Sequence, residues 1–89
     1  MPDAYSLEIV QKVDRTFKKL QRKDPVQFES LTKKVAAILE NPYQFKPLKA
    51  PMQHMRRVHV GSFVLIYDIS EEKKVVTVRR YEHHDTVYQ

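Results

Sequence analysis

An 89-residue chain with no cysteine is one small domain, and disulfides and thiolate metal sites are excluded from it. Sixteen lysines and arginines against eleven aspartates and glutamates give a formal net charge of +5, which favours polyanionic partners. No apolar run reaches the roughly 18 residues of a membrane span, so no membrane partner is expected.

Tyr5 to Val10 reads as a strand, with Tyr5, Leu7 and Ile9 alternating with Ser6 and Glu8. The same N-terminal stretch, MPDAYSLEIV, lacks the basic flank, apolar run and cleavage site of a signal peptide, so a cytoplasmic protein is expected. Val13, Phe17 and Leu20 then recur at helical spacing. Lys12, Arg15, Lys18, Lys19, Arg22 and Lys23 surround them and make a basic outer face. Asp24-Pro25 ends this helix and caps the next. Phe28, Leu31, Val35, Ile38 and Leu39 form a second apolar stripe, which Asn41-Pro42 terminates. The stretch from Pro42 to Met55 holds three of the five prolines and reads as a loop carrying Lys46, Lys49 and His54. In RRVHVGSFVLIYDI the only glycine, Gly61, stands with Ser62 between two strand-like runs, the pattern of a two-residue hairpin. A second turn is expected at Ser70–Lys73 and a last strand over Lys74 to Tyr81. The order β-α-α-β-β-β predicts an α+β fold: a helical hairpin on one face of a mostly antiparallel four-stranded sheet.

The two turns predict which residues share a face. Around Gly61-Ser62, Val60 lies opposite Phe63, His59 opposite Val64, Val58 opposite Leu65 and Arg57 opposite Ile66. Around Ser70–Lys73, Tyr67 would face Val76, Leu65 would face Val78 and Val64 would face Arg79. One face then carries Val58, Val60, Phe63, Leu65, Tyr67, Val76 and Val78, and belongs under the helices. The other carries Arg57, His59, Val64, Ile66, Thr77, Arg79 and Tyr81, and leads to His83. A one-residue slip at the second turn would exchange Arg79 for Arg80.

Cations, imidazoles and tyrosine suit cleavage of an RNA backbone. Arginine binds phosphate with a two-pronged fork, histidine exchanges protons near neutral pH, and tyrosine stacks on bases. A base would remove the ribose 2′-OH proton, the oxygen would attack the adjacent phosphorus, and cations would stabilise the added charge. The histidines and carboxylates show no metal-ligand spacing such as HExxH, and no cofactor or metal is expected.

LKAPMQHMRRVHVGSFVLIYDI followed by VVTVRRYEHHDTVY resembles the RelE/ParE superfamily of toxins from two-gene toxin–antitoxin modules. The family pattern is roughly K-x-L-x-G in a loop, R-x-R-x-G-x-Y-R-x-x-Y in a hairpin, and a closing H-R-x-x-x-Y. The resemblance covers nearly the whole chain and implies the RelE-like, microbial-RNase-like fold. By position, Arg57 matches the first strand arginine, His59 a second cation, Gly61 the turn glycine and Tyr67 the closing tyrosine. His83 and Tyr88 match the tail histidine and tyrosine. Val64 and His84 stand where the family often has arginines. RelE-like members cleave messenger RNA in the ribosomal decoding site without a metal, and a RelB-like antitoxin wraps them in a hetero-oligomeric complex. ParE-like members share the fold but poison DNA gyrase. The open face and the resemblance together give the candidate catalytic set Arg57, His59, Arg79, His83, His84 and Tyr88. The implied contacts to ribosome and RNA are Arg15, Lys19, Arg22, Lys46, Lys49, Arg56 and Arg80.

Overall fold

In the computed structural model, which describes residues 5–87, strand β1 (Ser6–Ile9) runs directly into helix α1 (Gln11–Lys23). Helix α2 (Pro25–Glu40) follows after the single residue Asp24. The Asp24 carboxylate accepts a hydrogen bond from the Gln27 amide at 3.2 Å, and Pro25 occupies the first turn, so the cap predicted from Asp24-Pro25 forms. Strands β2 (Met55–Val60), β3 (Phe63–Ser70) and β4 (Val75–His83) complete the sheet, and a single-turn helix α3 (His84–Val87) closes the described chain. Among the described residues, no helix is long and apolar enough to cross a membrane.

The strand order is β1-β4-β3-β2, with β1 parallel to β4 and the other pairs antiparallel. The expected mostly antiparallel sheet is therefore mixed at one edge. Both helices pack on one face, where Val13, Phe17, Leu31 and Ile38 meet Val58, Val60, Leu65, Tyr67, Val76, Val78 and Tyr81. Phe63 packs against this cluster from its rim. All six members of the basic face of α1 are exposed. Tyr67 is fully buried, its hydroxyl donates to the Pro42 carbonyl at 2.6 Å, and burial pushes its pKa up to about 12.

The first hairpin has the predicted register, from Val60 opposite Phe63 out to Arg57 opposite Ile66. Gly61 supplies the left-handed backbone (φ 61°) that this turn needs. Gln27 of α2 locks it from above, donating from Nε2 to the Val60 carbonyl and the Tyr81 hydroxyl, both at 2.9 Å.

The second hairpin corrects the prediction. Its turn is residues 71–74, Ser70 pairs with Val75, and Tyr67 lies opposite Val78 rather than Val76. The register then shifts between Ile66 and Tyr67, so that Ile66 pairs with Arg80 and Leu65 with Tyr81. This is a β-bulge with Arg79 as the extra residue. It turns Tyr81 under the helices instead of leaving it on the open face, and it replaces the expected pairing of Val64 with Arg79 by Val64 with Glu82.

The turn also carries a clasp. The Glu71 carboxylate accepts hydrogen bonds from Lys74 Nζ, from the Tyr43 hydroxyl at 2.6 Å and from the Tyr5 hydroxyl at 2.8 Å. It thereby ties the start of β1, the loop after α2 and the β3–β4 turn together. The Lys74 ammonium, then the two hydroxyls, hold the Glu71 pKa below its ordinary 4.5, at about 2. A lowered carboxylate pKa stabilises the fold above the unfolded value and ceases to do so as pH falls through the folded one. The excess stability of the natural chain over Glu71→Gln is therefore expected at neutral pH and should vanish between about pH 4.5 and 2. Denaturant midpoints across that range check this; a constant difference would contradict it.

Candidate nucleic-acid site on the open sheet face

The centre of the face away from the helices is apolar and shut off from solvent. Val64 and Ile66 on the central strand β3 are 0% and 1% exposed, yet neither belongs to the cluster under the helices. Two cross-strand rows flank them. Arg57, Ile66 and Arg80 form one row, and His59, Val64 and Glu82 form the other. Residues directly opposed on neighbouring strands share a face, so both rows point the same way. Arg57, Arg80 and Glu82 are half-buried, while His59 is exposed.

The bulge sorts the two arginines of the last strand. Arg79, expected in the cluster, is exposed and donates from Nε to Asp68 at 2.8 Å. It lines a notch with Glu8, His54 and Thr77 at the far end of the sheet and, on its other side, the notch beside α1 that Arg80 and Glu82 also line. Arg80, expected only as a general RNA contact, takes the place opposite Ile66 and bonds Glu82. The two histidines at the end of β4 part as well. His83 pairs with Phe63 and its ring meets that of Phe63 edge-on at 5.5 Å. The His84 ring lies 6.1 Å from that of His59, and its Nδ1 lies 3.2 Å from the Asp85 carboxylate. A bond from the His84 amide to the Ser62 carbonyl, 2.9 Å long, holds α3 against the first hairpin turn. Of the tail pair, His84 is the one at the cationic rows. Tyr88 lies outside the described residues.

The loop over residues 41–54 borders the same face at β2. Pro47 forms a bridge with Arg56, and the Arg57 amide donates to the Lys46 carbonyl at 3.1 Å. Lys46 thereby lines a notch with Arg57 and His59. Arg56 is committed to the loop itself: its guanidinium donates to the Phe45 carbonyl at 2.5 Å and sits 5.2 Å from the Tyr43 ring centre. Lys49 is exposed on the same loop, and Arg15, Lys19 and Arg22 are exposed on α1. Among the described residues, no three His, Asp or Glu side chains come together as a metal-ligand set. Sequence reasoning missed Glu82. Its signal was the spacing of core residues along β4, two between Val76 and Val78 but three between Val78 and Tyr81, which marks an extra residue between.

Val64 and Ile66 are shut off from solvent between the two rows, so what this part of the face presents is guanidinium, imidazole and carboxylate, groups that can grip a phosphate and exchange protons beside it. Comparison with known proteins places the chain. The family model described as the ParE toxin of the type II toxin-antitoxin system, parDE, matches residues 5–88. An uncharacterized protein of Methanosarcina mazei is 46% identical over 85 residues, covering 94% of this chain and 99% of its own. A Methanocaldococcus jannaschii protein named "Putative toxin RelE4" is 34% identical over 86 residues, covering 96% and 92%. A chain of the intact E. coli RelBE toxin–antitoxin complex superposes with a TM-score of 0.75 at 27% identity, over 90% of this chain and 96% of that one. With an unbroken family match from β1 to α3 and a shared fold, this chain belongs to the RelE/ParE superfamily as a toxin of a type II toxin–antitoxin system.

Proposed function

We propose that this toxin is a ribosome-dependent messenger RNA endonuclease, acting in the cytoplasm by attack of a ribose 2′-OH on the adjacent phosphate. The observation that carries this reading is the pairing of Arg57 and Arg80 across Ile66, next to the His59–His84 ring pair. Two forked cations on either side of the central strand fit a phosphodiester whose charge rises in the transition state. His59 and His84 supply proton transfer beside it, and Tyr88 is assigned to stack on or orient the nucleotide. Lys46 and Lys49, with Arg15, Lys19 and Arg22 on α1, would contact ribosomal RNA. Such contacts weaken steeply with salt. The partner is a RelB-like antitoxin, as in the E. coli RelBE complex.

The test is translation of a defined message in a cell-free extract, with cleavage mapped by primer extension. The natural protein is expected to produce discrete cuts. His59→Ala/His84→Ala should reduce them by about 10²-fold or more, the usual worth of positioned proton transfer. Unchanged cutting by the double variant would remove the assignment.

The family model that matches the chain is that of ParE toxins, which favours a second reading as a gyrase inhibitor. Stabilised gyrase–DNA breaks in a purified assay, with message left intact, would select it.

A further inference from the structure

We propose that Glu82 is the proton acceptor for the ribose 2′-OH, and that the bulge in β4 exists to bring it there; this rests on the endonuclease reading above. In a regular ladder, alternation from Val76 and Val78 would place Glu82 under the helices. The extra residue Arg79 reverses that parity and sets Glu82 opposite Val64 on the open face. Three carboxylates approach this face from the strands. Glu8 and Asp68 line the notch at its far end, where Arg79 holds Asp68. Glu82 alone of the three lies in a row with a histidine.

The spacing fits the chemistry. His59 and Glu82 are two strand separations apart across Val64, about 10 Å between backbones, with both side chains on one face. A phosphorus centred over Val64 would have a carboxylate on one side and an imidazole on the other. In-line displacement needs that geometry, because the attacking 2′-oxygen and the leaving 5′-oxygen lie on opposite sides of phosphorus. In the step, the 2′-OH proton passes to the Glu82 carboxylate as the 2′-oxygen–phosphorus bond forms. The phosphorus–5′-oxygen bond breaks with its electron pair on oxygen. The imidazolium of His59, or of His84, whose ring lies tilted 6.1 Å from it, gives that oxygen a proton. The products are a 2′,3′-cyclic phosphate and a 5′-hydroxyl.

The bond from Arg80 to Glu82 is compatible with this role. A guanidinium carries five N–H donors, enough to orient the carboxylate and hold a phosphate oxygen together. The charged and titratable groups around Glu82 are Arg80 and Arg79 on its own strand, Lys12 of α1 in the adjoining notch, His59 and Arg57 across β3, and His84 of α3.

Glu82→Gln keeps the shape and an oxygen for Arg80 but accepts no proton. Single-turnover cleavage of message on programmed ribosomes is measured across pH for the natural toxin, Glu82→Gln and Glu82→Ala, with a thermal melt of each. The expected result is at least about 100-fold slower cleavage by Glu82→Gln with ribosome binding retained. The rise in rate with pH on the acid side of the natural profile should disappear. Cleavage by Glu82→Gln within about threefold of natural, with the acid limb intact, overturns the proposal. Loss confined to Glu82→Ala does so too, because Glu82 would then serve only to position Arg80. If the natural toxin halts translation and cuts nothing, the endonuclease reading falls, and this step falls with it.

Discussion

Replacing Arg57 and Arg80 together with alanine is expected to lower message cleavage by about 10³-fold or more, while the protein remains folded. The two guanidiniums sit on opposite sides of Ile66, so a phosphate over β3 is reached from both flanks. Removing one donor aimed at developing charge costs roughly 10²–10³ in rate. The double loss should fall short of the product of the single losses, because in the proposed reaction the two would act on one phosphate. Neither side chain lies in the apolar cluster under the helices, so thermal stability should change little. Arg57→Lys and Arg80→Lys should recover only part of the rate, since a lysine keeps charge but not the fork. Arg79→Ala should matter far less, because Arg79 is the bulge residue, bonded to Asp68 and outside the row through Ile66 that Arg57 and Arg80 share. Rates from single-turnover cleavage decide this. An Arg79→Ala defect as large as that of Arg80→Ala would mean the bulge does not sort the two arginines as described.

Tyr67→Ala is expected to have the largest effect on stability, about 3–5 kcal/mol. The ring is fully buried at the centre of the sheet. A small domain of this kind holds only about 5–15 kcal/mol in total, and a short chain lies towards the low end. The variant should show no cooperative melt, or one displaced by at least about 12 °C. Tyr67→Phe separates the ring from its hydroxyl. It keeps the packing but leaves the Pro42 carbonyl without its donor, at a cost of about 1–3 kcal/mol. Circular dichroism melts measure both, and a Tyr67→Ala midpoint within a few degrees of natural would show that the site collapses around the missing ring.

The contrast between the two hairpins shows what in this fold was readable beforehand. Gly61-Ser62 fixed the first register because a two-residue turn leaves no freedom in pairing, so Arg57, His59, Val64 and Ile66 were placed correctly. The second turn gave no such constraint. Ser70 to Lys74 offers several closures, and the one adopted needs Lys74 at a positive φ of 55°, which nothing in a lysine announces. The bulge was hidden for a related reason. Arg79 and Arg80 look alike in sequence, and only the delayed burial of Tyr81 reveals the extra residue. The helices, by contrast, were legible from their apolar stripes and from Asp24-Pro25, because local chemistry decides them. The commitment of Arg56 to the loop carbonyls depends on how a proline-rich segment folds back on β2, and no periodicity encodes that.

The neighbour relation of β1 and β4 bears on how the molecule comes into being. The first strand pairs with β4, far along the chain, Ser6 with Val75 and Ile9 with Val78. During synthesis the helical hairpin can form early from local contacts, while β1 waits for a partner still to be made. The open face is completed later still, since Arg80, Glu82 and His84 follow the residues that pair with β1. A chain that stops before β4 therefore has neither the partner of β1 nor one flank of the open face. Such late completion is built into the strand order.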